Sequence, residues 1–133
     1  MNARQRPLDL KLRHTFRIAR GASDVRGNVL VELEDDGRVG LGEAAPIKRY
    51  GEDQASAARA VEQMAQRLGD ARAFAGAAAL AAVPGQRAAE AAVDIALYDL
   101  AGQRMGVPVY ALFGLDPRQG PPTHIAGERP LAA

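Results

Sequence analysis

Between residues 8 and 18 the even positions carry Leu8, Leu10, Leu12, His14, Phe16 and Ile18, and the odd ones Asp9, Lys11, Arg13, Thr15 and Arg17. Strict alternation of this kind predicts a half-buried strand whose even side chains, His14 included, face the core. Residues 20–28, RGASDVRGN, break the period and read as a polar, flexible stretch. Val29, Val31 and Leu33 resume it. Asp35-Asp36-Gly37-Arg38 then supplies a hairpin turn, and Val39–Glu43 returns as a third strand. The first 45 or so residues therefore predict a three-stranded antiparallel meander.

After a loop from Pro46 to Gly51 the period changes to three and four. Ala55, Ala58, Val61, Ala65 and Leu68 line one face of a helix, with Asp53 placed to cap its start and Gly69 to close its end. An alanine-rich helix is expected around residues 72–82, stopped by Pro84-Gly85. A third runs from Arg87 to Met105, with Ala89, Val93, Ala96, Leu97 and Leu100 on one side and Gly106 and Pro108 ending it. Strands first and helices after predict an α+β domain with the helices on one face of the sheet. From Asp116 the sequence has the character of a linker, and no period is legible beyond it.

The 133 residues fit one domain. Alanine supplies much of the apolar fraction, so the core depends on a few larger side chains. A net charge of +1 is too balanced for a nucleic-acid binder. No apolar run approaches the ~20 residues that span a bilayer, and no signal-peptide core follows the basic start. Absence of cysteine excludes a disulfide framework and thiolate chemistry, leaving the cytoplasm as the default location.

Few residues invite a chemical role. Glu43 lies among small residues beside a loop, where accepting hydrogen bonds from loop backbone donors is the expected task. Glu90 and Asp94 share a helical face at i,i+4, but nothing nearby completes a metal site. Asp94 and Asp99 are expected to be solvated or bonded to nearby backbone. Gly40-Leu41-Gly42 lacks the third glycine and the following helix of a phosphate loop.

Three stretches in order carry a resemblance. They are TFRIARG (15–21) leading to VLVEL (29–33), GLGEAAP (40–46) with RYGE (49–52), and AAEAAVDIALYDL (88–100) running on through GVPVYALFG (106–114). Together they resemble the N-terminal capping domain of the muconate-lactonizing and mandelate racemase branch of the enolase superfamily, most closely its dipeptide epimerases of the Ala-Glu type. The resemblance covers about residues 8–115. It implies a capping domain over residues 1–115, with 116–133 a linker and the start of a truncated barrel.

In that family the cap sits over a (β/α) barrel, where a lysine removes a proton next to a carboxylate and Mg²⁺ stabilises the enolate. A barrel needs ~200–250 residues, so the barrel, its lysines and its metal ligands are absent from this chain. No catalytic or metal residue is carried over, no Mg²⁺ is expected on this chain, and the chain alone is expected to be inactive. Two cap loops, about Arg17–Asp24 and Ala44–Glu52, are implied to close over a small dipeptide once a barrel is present. They make Arg20, Arg49 and Tyr50 the candidate substrate-binding residues, Arg20 offering a bidentate fork to a carboxylate. The alternative is a non-catalytic, stand-alone cap that binds a partner or is a gene remnant. Either way, apolar surface left without a barrel is expected to drive self-association.

Overall fold

The computed structural model describes residues 1–18, 21–68 and 81–120. Strands β1 (Asn2–Ile18), β2 (Gly21–Asp35) and β3 (Arg38–Ala44) form one antiparallel sheet in the order β1-β2-β3. A 3₁₀ turn at Lys48–Tyr50 leads to helix α1 (Gln54–Leu68). Helix α2 (Arg87–Met105) and a single turn α3 (Val109–Leu112) complete the regular elements, apart from a 3₁₀ turn at Pro117–Gln119. The α+β architecture is the expected one. The helix expected around residues 72–82 lies outside the described residues except for Ala81 and Ala82, which are not helical.

The β2–β3 turn forms where Asp-Gly placed it. Asp36 (φ 50°) and Gly37 (φ 72°) are both left-handed, as a two-residue hairpin turn requires. On β2, Val29, Val31 and Leu33 are fully buried as their alternation predicts.

β1 differs from expectation in three ways. It starts at Asn2, with Asn2 opposite Glu34, six residues before the apolar alternation begins. Its outward side chains there are charged: Arg4 and Arg6 reach Glu34 and Glu32 across the sheet. Second, the inward positions are the odd ones, pairing Ala3 with Leu33 and Gln5 with Val31, while Leu8 and Leu10 lie on the outer face. Third, the register slips between Lys11 and Phe16, with three more residues on β1 than on β2 between Lys11↔Val25 and Phe16↔Ser23. A bulge of this kind destroys a single inward face. His14 and Phe16 are exposed rather than core, and lie where β1 and β2 run on past the end of β3. Residues 21–28, read as a loop, are the strand that pairs with this arm.

Both long helices cover the same face of the sheet. α2 buries Ala89, Val93, Ala96, Leu97 and Leu100, the predicted set. α1 buries Ala57, Ala60, Val61, Met64 and Leu68, so its face is rotated from the predicted one and Ala55 is exposed. Met64 fills the position that the alanine pattern had concealed.

The inward face of β3 is Gly40, Gly42 and Ala44, while Val39 and Leu41 point outward. A Cβ at Gly40 would lie 2.1 Å from the Ala96 carbonyl oxygen, and one at Gly42 1.9 Å from that of Ala92. The glycines thus let α2 lie directly on β3. Two α2 side chains complete this seam by bonding the free edge of the strand. Asp99 Oδ2 accepts from the Leu41 N–H (2.9 Å), and Gln103 Nε2 donates to the Val39 carbonyl (2.7 Å). An exposed strand edge is thereby closed by side chains. Gly106, left-handed at φ 67°, ends α2 as expected.

Candidate functional site

The two loops implied to meet a substrate leave the same end of the sheet. β3 ends at Ala44 beside Val29, whereas the β1–β2 arm runs eight residues further, to Gly21 opposite Ile18. At about 3.3 Å per residue the arm projects roughly 26 Å beyond the end of β3. Its outer part is tied by Thr15 Oγ1 donating to Asp24 (2.5 Å) and by the Arg26 guanidinium 5.2 Å from the Phe16 ring centroid. Its base is held by Gln54 Nε2, which donates both to Asp9 (2.9 Å) and to the Asn28 carbonyl (2.8 Å).

Arg20 lies outside the described residues. Arg49 and Tyr50 stand together on the 3₁₀ turn after β3, flanked by Ile47 and Lys48. All four side chains are exposed, Tyr50 to 68%. The Arg49 guanidinium is 6.0 Å from the Tyr50 ring centroid, the outer limit of a cation–π contact. Two cations beside an aromatic ring can meet a carboxylate and cover an apolar group together.

The turn's orientation comes from the residues after it. Gly51 is left-handed (φ 76°), and its backbone N–H bonds the Lys48 carbonyl at 3.0 Å. Tyr50 therefore points outward while Glu52 turns in, to 4% exposure. Glu52 Oε1 accepts from the Ala88 backbone N–H at 3.1 Å. Asp53 caps α1, accepting from the Ser56 N–H at 2.7 Å, while its own N–H donates to Ser56 Oγ at 2.9 Å. The Ser56 backbone N–H and then its hydroxyl hold the Asp53 carboxyl below the ordinary Asp range, and Arg59 adds to this.

Glu43 is structural, but its donor is the Asn28 side chain (2.5 Å) rather than a loop backbone group. Asn28, itself buried, was not singled out in the sequence. Asp99 does bond backbone, at Leu41. Glu90 is engaged by Arg87 at 2.6 Å. Among the described residues no three His, Asp or Glu side chains converge on a cation site. No helix among them is long and apolar enough to cross a membrane.

Glu52 is the functional-region residue that sequence reasoning left without a role. The signal was present in Gly51-Glu52-Asp53, a left-handed residue followed by two carboxylates ahead of a helix.

Residues 3–114 match the model of the mandelate racemase/muconate lactonizing enzyme N-terminal domain. The chain belongs to that family. Among its relatives is the L-Ala-D/L-amino acid epimerase of Pedosphaera parvula, 40% identical over 82% of this chain and 33% of that protein. The L-Ala-D/L-Glu epimerase of Bacteroides thetaiotaomicron is 36% identical over 88% of this chain and 31% of its own length. A dipeptide epimerase from Cytophaga hutchinsonii, solved with Mg and the dipeptide D-Ala-L-Val, superimposes with a TM-score of 0.81 at 28% identity. That match covers 88% of this chain and 33% of the other. The chain thus spans about a third of the length of these relatives. It is an enolase-superfamily N-terminal domain of the dipeptide-epimerase type.

Proposed function

We propose that this domain caps the active site of a dipeptide epimerase that inverts a centre next to a carboxylate by proton abstraction. The likeness to relatives named as dipeptide epimerases, over four-fifths of this chain, carries the reading. Its chemical burden is assigned to a barrel of the kind that the family's cap covers. The base and the Mg²⁺ site are assigned to that barrel as well. What this chain supplies is coverage and selection. The arm and the Arg49–Tyr50 turn exclude water, and Arg20, Arg49 and Tyr50 meet the dipeptide.

An apolar surface supports docking of a second domain. Ile95 (50% exposed) lies one helical turn before Tyr98, whose ring is 4.9 Å from that of Phe113. Tyr110 and Leu115 extend this surface on the segment after α2, Leu115 being 62% exposed. Apolar side chains in such a cluster mark an interface.

The test joins this chain to the part of the Pedosphaera parvula epimerase that follows its matching third. Deuterium incorporation at the α-carbon of L-Ala-L-Glu is followed by NMR with Mg²⁺. The chimera is expected to exchange the α-proton, and the chain alone is not. Arg49→Ala and Tyr50→Ala in the chimera are expected to raise KM for the dipeptide more than they lower kcat. A folded chimera without exchange, or exchange by the isolated chain, overturns the proposal.

A further inference from the structure

Helix α2 begins without a cap of its own. Gln86, at its N-cap position, makes no side-chain cap bond, although its carbonyl accepts the first helical bond from Glu90 (3.1 Å). The N–H groups of a first helical turn have no intrahelical partner and must find one elsewhere. At Ala88 that partner comes from 36 residues earlier in the chain, as the Glu52 carboxylate. The next residue, Asp53, does the same for α1 through a reciprocal pair of bonds with Ser56. Two consecutive carboxylates therefore sit at the positive ends of two different helices, where negative charge is favoured.

We propose that Glu52-Asp53 is a double cap that locks the Arg49–Tyr50 turn to the start of both helices, with Glu52 the positioning residue for that turn. The geometry gives the reason. Only Gly51 separates Tyr50 from Glu52, and its left-handed backbone fixes the angle between the outward ring and the inward carboxylate. Glu52 is nearly sealed from solvent, so its carboxylate has little freedom to seek another donor, and an uncompensated buried charge is costly. With Glu52 held at Ala88 and Asp53 at Ser56, the turn has one fixed end on the helix layer and the other on β3. This inference concerns where the turn stands and does not depend on what the turn meets.

The experiment is amide hydrogen exchange, resolved by NMR, on the full chain and its Glu52→Ala and Glu52→Gln variants. Loss of a charged acceptor is expected to speed exchange at Ala88 about ten- to a hundredfold in the alanine variant. If Glu52 positions the turn, the Tyr50 and Gly51 amides, which bond Ile47 and Lys48, accelerate by a similar factor. The β2 amides of Val31 and Leu33 keep their rates. Glutamine retains an acceptor oxygen and is expected to recover most of the protection at all three sites.

Acceleration at Ala88 alone overturns the proposal, as does equal acceleration throughout the sheet. Should the alanine variant fail to fold, the unaltered chain decides through exchange in low urea. Ala88, Tyr50 and Gly51 must then share one opening free energy and one urea dependence. Separate openings overturn the double cap.

Discussion

Replacing Gly42 by alanine tests the seam between β3 and α2 with a single methyl group. The added Cβ falls 1.9 Å from the Ala92 carbonyl oxygen, 2.9 Å from its carbon and 3.2 Å from the Ala96 nitrogen. All three atoms are backbone, so no rotamer change relieves the clash. Ordinary contact begins near 3.4 Å, which leaves about 1.5 Å for α2 to retreat. Overpacking of this type costs about 1–3 kcal/mol. A retreat of that size also lengthens the Asp99–Leu41 and Gln103–Val39 bonds, and solvent near both keeps their contribution at the low end, about 0.5–1.5 kcal/mol each. The sum is centred on about 4 kcal/mol, a large part of the 5–15 kcal/mol that holds a domain together. In urea, with a slope of about 2 kcal/mol/M, the midpoint falls by roughly 2 M.

The assay is equilibrium unfolding followed by far-ultraviolet circular dichroism. Gly37→Ala is the control, since a Cβ there meets nothing within 4 Å and only the left-handed φ of 72° is strained. It should cost about 1 kcal/mol. Gly42→Ala within about 0.5 kcal/mol of the parent would refute the seam. So would rescue by Ala92→Gly, because the obstacle is the Ala92 backbone and not its methyl group.

Two further outcomes follow from the caps and from the apolar face. The Asp53 carboxyl is held below its ordinary value, so its capping contribution is complete above about pH 4 and is lost as pH falls through the lowered value. The protection factor of the Ser56 amide, its exchange rate corrected for the intrinsic pH dependence, should fall in that acid range. Asp53→Asn, which keeps a capping oxygen, should abolish the acid dependence, and persistence of the dependence contradicts the assignment. The isolated chain should self-associate through Ile95 and Phe113, so Ile95→Ser with Phe113→Ser should yield monomers in sedimentation velocity, while Leu41→Ser on the opposite side of the sheet should not.

The meander, the Asp36-Gly37 turn and the buried face of α2 were legible because each follows from local periodicity or turn chemistry. β1 was not. Its first residues set Asn2, Arg4 and Arg6 against Ala3, Gln5 and Pro7, so no large apolar side chain marks the inward face. Its inward side chains up to Lys11 are the odd ones, and the slip past Val25 then sets Phe16 opposite Ser23, so one alternation through residues 8–18 could not assign a single face to the strand. On β3 the rule that apolar side chains point inward failed for a different reason: helix backbone occupies the space, and only glycine fits. Arg49 and Tyr50 could be placed on a loop from their neighbours. The residue that aims them, Glu52, is defined by a partner 36 positions away, a distance no local pattern registers.

The β3–α2 seam also bears on the order in which the chain matures. Leu41 and Asp99 are 58 residues apart, and Val39 and Gln103 are 64 apart. During synthesis the sheet is complete some sixty residues before the helix side chains that close its edge have emerged. Loop-closure entropy makes contacts of that separation late ones. Until they form, the β3 edge is bare to other nascent chains. The two glycines that admit the helix also weaken the strand's own tendency to pair. The residues that make the finished seam close-fitting thus protect the chain while the seam is still open.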